Sequence, residues 1–458
     1  MTDRDEVIAL ATGPAAFAAF LKHLASLIAV PSVSRDPSAA SAIRAYLTDL
    51  LVPDLAAMGF TVTVLENPSA PELPFLLAER IEEAQAPTVL IYGHGDVVEG
   101  MDTEWAPGLN PFRARVDGDH LYGRGSADNK GQHAIALAAL RAVIKARGRL
   151  GFNCKVLIEM GEERGSPGLE ALFRDHPARL RADVLIASDG PRLNAGRPTL
   201  FLGARGSLRF DLTVALREKA SHSGHWGGLL RDPAIDLAHA IAAMSDLSGA
   251  LLVPEWRPGS LTPDIRARIA ECGLGDVAGE IDAGWGEPGL SPAERVFGWN
   301  SLSVLALELG NPGAPVAAIA PKARARCQLR FVVGTDPDDI VPALRRRLDA
   351  MGLTRVVVTA VDGSLSPATR LDPSDRWVTF AAGSIAQTTG APPDILPNIG
   401  GSIPNHIFAN VAQLPTLWIP HSYRGCQQHA ADEHLPLPIA REGLAVMTGL
   451  FWDIGNRP

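Results

Sequence analysis

Residues 88–98, TVLIYGHGDVV, decide the fold. The run 88–92 is apolar without alternation, so it reads as a strand buried on both faces, as in a parallel sheet. It leads directly into His94 and Asp96. Upstream, residues 61–65 form another apolar strand candidate, preceded by Phe17, Phe20, Leu21, Leu24, Leu27 and Ile28 at helical spacing, a pattern that stops before Pro31. Downstream, an Ala-rich helix over 132–145 is followed by strands at 155–160 and 184–187. This alternation predicts an α/β domain whose mostly parallel sheet carries helices on both faces. Ligand sites in such sheets form beyond the carboxyl ends of the strands. There lie His94 and Asp96, then Glu162 and Glu163, then Asp189.

The texture changes near Gly206. Residues 208–216, 303–309 and 323–332 alternate like strands exposed on one face, with helical stretches at 233–244 and 338–351 between them. They predict an inserted α+β domain over residues 206–365, of the size of a small domain. The first domain is then discontinuous, built from 1–205 and 366–458, and its second segment supplies His429.

Composition narrows the function. The chain of 458 residues has a formal charge of -9 and no concentrated run of Lys or Arg, which argues against a nucleic-acid partner. Its start, MTDRDEVIAL, lacks the features of a secretory signal, and no apolar stretch is long enough to span a bilayer. Cys154, Cys272, Cys327 and Cys426 are scattered, without a CxxC pair, so neither a disulfide framework nor a thiolate zinc site is expected. The expectation is a cytoplasmic protein with no membrane partner.

Singly, each candidate residue has an ordinary explanation. GHGD can be a turn with a structural His. If the strand geometry continues, however, His94 and Asp96 point to one face, and Asp96 can orient the His94 ring. In LYGRGSADNKGQ (121–132), Asp128 can cap a helix, or its two oxygens can bridge two cations about 3.5 Å apart. The loop lacks the Walker spacing and its Lys-Ser/Thr ending, which counts against nucleotide binding. In IEMGEERGSPG (158–168), Glu162 and Glu163 are either solvated charge or a divided pair, one binding a metal and the other taking a proton from water. Asp189 in IASDG and His429 in QQHAADEH complete a set of three carboxylates and two imidazoles. Such a set suits zinc, cobalt or manganese. His421 and His434 compete with His429 for the last place.

In order along the chain, GHGDVV, GRGSADNKG, MGEERGSPG, SDG and HAADEH resemble the motifs of the dinuclear-zinc aminoacylase and dipeptidase family, which includes carnosinase-like dipeptidases, acetylornithine deacetylase and succinyl-diaminopimelate desuccinylase. The resemblance implies that His94 and Asp189 hold one ion and Glu163 and His429 the other. Asp128 would bridge them, Glu162 would be the general base and Asp96 the partner of His94. The insert resembles that family's lid and dimerisation domain. SHSGHWGG (221–228) resembles the segment that delivers a His to the partner's active site, here His222, which would hydrogen-bond the oxyanion. Arg330, in CQLRFVVGTDP, and GGSIP (400–404), with Gly401 and Ser402, resemble segments that bind a substrate carboxylate. Arg330 shares its strand alternation with Arg324 and Arg326, so only the resemblance singles it out. His406, His421, Arg424 and Cys426 are given no role. The expected activity is two-metal hydrolysis of an amide or peptide bond in a small substrate with a free carboxylate, by a homodimer. An N-acyl-amino-acid deacylase is the alternative, and a catalytically silent binding protein is the third reading.

Overall fold

The computed structural model describes residues 3–276 and 281–456, so the extreme ends of the two outer segments lie outside the described residues. It divides into two compact units, one of residues 1–203, 371–396 and 404–458, the other of 204–370 and 397–403. The short stretch 397–403, with Gly401 and Ser402, thus groups with the inserted unit.

The first unit is built on an eight-stranded sheet in the order Thr61–Leu65, Phe75–Arg80, Asn153–Glu159, Thr88–His94, Val184–Ala187, Thr416–Trp418, Thr199–Phe201, Asp394–Leu396. Thr88–His94 is parallel to both its neighbours. Thr416–Trp418 runs parallel to Val184–Ala187, and Asp394–Leu396 to Thr199–Phe201. The strands at 61–65 and 75–80 and the contact between 416–418 and 199–201 are antiparallel, so the sheet is mixed with a parallel centre. The centre matches the sequence: Val89 to Tyr92 and every residue of Asn153–Glu159 are buried, as strands covered on both faces require.

The covering helices follow from their apolar faces. Lys130–Arg147, rich in Ala and Leu, buries one long face, carries Lys145 and Arg147 in its last turn and ends at Gly148 in the left-handed conformation. At its start, a Cβ on Gly131 would lie 1.9 Å from the Ser126 carbonyl oxygen, so only glycine lets the preceding loop approach the helix. Pro14–Ile28 and Leu437–Ile454 bury Phe20, Leu24, Leu444 and Leu450 in the same core, each such side chain contributing about 1.5–3 kcal/mol. No single described helix is long and apolar enough to cross a membrane.

The inserted unit carries a four-stranded antiparallel sheet in the order Ser301–Glu308, Lys322–Phe331, Gly206–Ala215, Val357–Ala360. Helices Pro233–Ala242 and Ile340–Ala350 help to close one face of it over Leu208, Phe210, Leu329 and Phe331. Gly206–Ala215 and Lys322–Phe331 alternate as the sequence predicts. Ser301–Glu308 does not. From Ser303 onward it is exposed on both faces, Leu307 at 64%, as befits the edge strand of this sheet.

Candidate metal centre

Five side chains from the ends of sheet strands and from two loops of the first unit converge. His94 ends its strand, and its fully buried ring lies with Nε2 3.3 Å from Asp128 Oδ1 and 3.7 Å from Asp189 Oδ2. Asp128 sits in the loop before helix Lys130–Arg147, and its peptide bond to Asn129 is cis. Its other oxygen, Oδ2, is 3.2 Å from His429 Nε2, which is also 3.1 Å from Glu163 Oε1. Two groups of potential ligands result, His94–Asp128–Asp189 and Asp128–Glu163–His429, and Asp128 belongs to both.

The arrangement passes a chemical test for cations. His94 Nε2 is buried with no hydrogen-bond partner, an orphan that such sites rarely leave without a use. Burial pushes Asp189 up to about 6, with the Asp128 charge adding to it. Burial also raises Glu163, against its hydrogen bond with His429. Burial lifts Glu162 well above the carboxylate range, and Asp189, Glu163 and Asp128 add to it against His94. These carboxylates carry more negative charge than the protein neutralises. Hydrogen bonds to Asp128 and Glu163 push His429 up to about 10. Burial opposes protonation of His94, yet the carboxylates of Asp128, Asp96 and Asp189 beside it hold it well above its usual range. Protons would stand in for cations here, since metal binding displaces them.

The supporting shell is only partly the one expected from the sequence. The strand ends at His94, so Asp96 does not continue it. His94 Nδ1 meets the Asp96 backbone oxygen at 3.1 Å and its carboxylate at 3.3 Å. The same carboxylate accepts the backbone N–H groups of Glu162 and Glu163 at 3.1 and 3.2 Å. Asp96 therefore touches His94 and the turn bearing Glu162 and Glu163 together.

Several contributors escaped the sequence reading. Asn129 accepts the His94 N–H at 3.3 Å and donates to the Ser188 carbonyl at 2.8 Å, joining the His94 and Asp189 strand ends. Its position beside Asp128 was the available signal. Glu433, four residues past His429, is another. His421 and His434, the open alternatives to His429, belong to neither ligand group. His421 is buried against Gly443, with burial holding it well below its usual range. His434 Nδ1 meets the Asp432 carbonyl oxygen at 2.9 Å, and its ring packs against His120 and Tyr122. Cys426 is buried and takes the Tyr423 N–H on its sulfur at 3.3 Å. His406 is partly buried, which lowers its pKa, and Arg424 is exposed.

The inserted unit holds the remaining candidates. His222 is exposed on a two-residue strand, Ser221–His222, paired with Ala318–Ile319. Its Nδ1 accepts the Gly224 N–H at 3.1 Å, which leaves the proton of the neutral ring on Nε2, and the His225 ring stacks on it at 4.4 Å. Arg324 and Arg326 both pair with Asp211. Arg330 pairs with no carboxylate among the described residues, and its Nη1 donates to Ser402 Oγ at 3.3 Å. Beside it, the buried Arg205 donates to the Arg330 carbonyl at 3.2 Å and leaves its Nε without a partner. Burial and the Arg330 charge push Arg205 down to about 10. Two guanidinium groups thus lie side by side, with no carboxylate paired to either among the described residues.

The sequence profile of peptidase family M20/M25/M40 matches residues 90–453. A Beta-Ala-His dipeptidase of Mus musculus is 28% identical over 418 residues, 86% of this chain and 82% of that protein. A Cys-Gly metallodipeptidase of Candida albicans is 32% identical over 250 residues, 51% of each chain. Among solved structures, an M20 family metallo-carboxypeptidase of Sulfolobus solfataricus superposes with a TM-score of 0.77 at 24% identity, covering 95% of this chain and 99% of that one.

Proposed function

The chain belongs to peptidase family M20/M25/M40, and from that premise we propose that it is a metal-dependent dipeptidase acting on a small substrate with a free carboxylate. The observation that carries the reading is the sharing of Asp128 between the two ligand groups, one oxygen towards each imidazole. His94 and Asp189 would hold one ion, Glu163 and His429 the other, and Asp128 both. Zinc fits this O/N donor set, as do cobalt and manganese. Cations held by these residues would polarise the scissile carbonyl and acidify the attacking water.

The chain's own groups do the rest. Glu162, on the same turn as the ligand Glu163, takes a proton from the attacking water and returns it to the leaving amine. Asp96 holds the His94 ring and the Glu162 turn in register. His222 donates its Nε2–H to the carbonyl oxygen as that oxygen gains charge, a role worth roughly 3 kcal/mol of barrier. Arg330, Ser402 and the Gly401 segment receive the substrate carboxylate; the unpaired guanidinium of Arg330 and its neighbour Arg205 support this.

A homodimer formed through the inserted unit belongs to the same proposal. Its support is the edge strand Ser301–Glu308, which exposes Val304, Leu305 and Leu307 to 40%, 49% and 64%. A reducing, cytoplasmic setting is proposed from the four cysteines, which are scattered along the chain without a CxxC pair.

The discriminating experiment is a parallel assay of the zinc-loaded protein on dipeptides and on acetylated and succinylated amino acids. Dipeptide turnover is expected; activity confined to the acyl compounds would replace this reading with the deacylase one.

A further inference from the structure

Glu433 has no place in the chemistry above, yet it is one of the most thoroughly bonded side chains around the centre. It is 1% exposed. Its Oε2 accepts from Arg124 Nη1 at 2.8 Å and the Gly125 N–H at 3.0 Å, and its Oε1 from the N–H groups of Ala127 and Asp128 at 2.9 and 3.0 Å. Its backbone oxygen accepts the Gly123 N–H at 3.0 Å. Neutralising one buried carboxylate would need only Arg124. Here the whole loop 123–128 wraps around it, down to the amide of Asp128 itself.

The segment that ends at Glu433 is under conformational load. Gln427, His429 and Asp432 are all non-glycine residues in the left-handed region, at φ 57°, 61° and 59°. Such residues persist only where their surroundings hold them. Asp432 is held by the Ala106 N–H on its Oδ1 at 2.9 Å. The next residue is Glu433, bonded to the Asp128 loop.

We propose that Glu433 is a positioning residue of the metal centre: its carboxylate clasps the Asp128 loop to the His429 segment and so sets the separation of two ligands of the Asp128–Glu163–His429 group. The proposal rests on the metal-centre reading above. Outer partners that orient metal ligands cost 10–100-fold in metal affinity when removed. Glu433→Gln keeps the shape but offers an amide N–H₂ to donors that need an acceptor. Glu433→Asp keeps the charge and draws it back by one methylene.

The test uses the full-length protein, stripped of metal and titrated with Zn²⁺ and with Co²⁺ against a competing chelator, alongside the Co²⁺ visible spectrum and the melting temperature of the metal-free form. Wild type should bind two ions. E433Q should stay folded but bind at least one ion 10–100-fold more weakly, with an altered Co²⁺ spectrum, and E433D should recover part of the loss. Wild-type affinities and spectrum in folded E433Q, or a lowered melting temperature alone, would overturn the proposal. Where E433Q does not fold, E433D is read by the same criteria, and loss of fold in both would make Glu433 a general structural residue. If wild type itself binds fewer than two ions, the metal-centre reading fails instead, so the two failures are distinguishable.

Discussion

The two ligand groups share Asp128 but are built differently. The His94–Asp189 group rests on regular structure: its imidazole is fully buried at a strand end, Asp189 lies just past a neighbouring strand, and Asn129 ties the two ends together. The Glu163–His429 group lies on irregular backbone: His429 has a left-handed φ, its side chain is 57% exposed, and Glu163 sits in a short 3₁₀ turn. One group is positioned by the sheet, the other by side chains that hold loops in place. The difference predicts unequal consequences when each is disturbed.

The largest effect should come from the base. Glu162→Gln should leave metal binding intact and lower kcat by about 10²–10⁴-fold. Comparable turnover in the variant would remove Glu162 from that role.

Ligand removal comes next and probes the asymmetry directly. Asp128→Ala should weaken both ions, because one oxygen faces each group. Asp189→Ala and His429→Ala should each weaken one. Metal content after gel filtration checks this; full occupancy in Asp128→Ala would break the shared-ligand reading.

The inserted unit supplies a third break point. If His222 acts across a dimer, inactive Glu162→Gln and inactive His222→Ala proteins, mixed and reassembled, should recover up to about a quarter of wild-type activity per subunit, since in a random heterodimer one of the two sites is intact. No recovery from a demonstrated heterodimer would place His222 outside the partner's site.

The smallest effect is in pH. The metal-free form raises His429 to about 10 from an ordinary value of about 6.5, so its protonated ring stabilises the folded state. That contribution is fully present below about 6.5 and is lost as pH rises through about 10. Metal-free protein should therefore lose part of its stability over that window, and metal binding at pH 7 should release protons. Calorimetry in buffers of different ionisation enthalpy measures the release; none at all would contradict the assigned ligands.

The same asymmetry governed what could be read from the sequence. TVLIY and the Asn153–Glu159 strand announce a buried parallel centre because their runs of apolar residues fit a strand covered on both faces, and the acids just past those strands could be located by topology. His429 could not be separated from His421 and His434 by chemistry, because what distinguishes them is tertiary: His421 packs on Gly443 and His434 against His120. Asn129 and Glu433 were missed because their partners, Ser188 and the loop 123–128, are remote in sequence. Arg330 differs from Arg324 and Arg326 only once Asp211 is seen to pair with the other two. The exposure of Ser301–Glu308 on both faces is likewise invisible to a period of two.

The central claim is that two ions held around Asp128 drive dipeptide hydrolysis, and titrating metal-free protein with Zn²⁺ while following cleavage of a dipeptide tests it most directly. Activity should appear with metal, reach its plateau at two equivalents per chain and vanish on chelation. Hydrolysis that persists in the metal-free protein, or two tightly bound ions with no cleavage across a broad dipeptide panel, would contradict it.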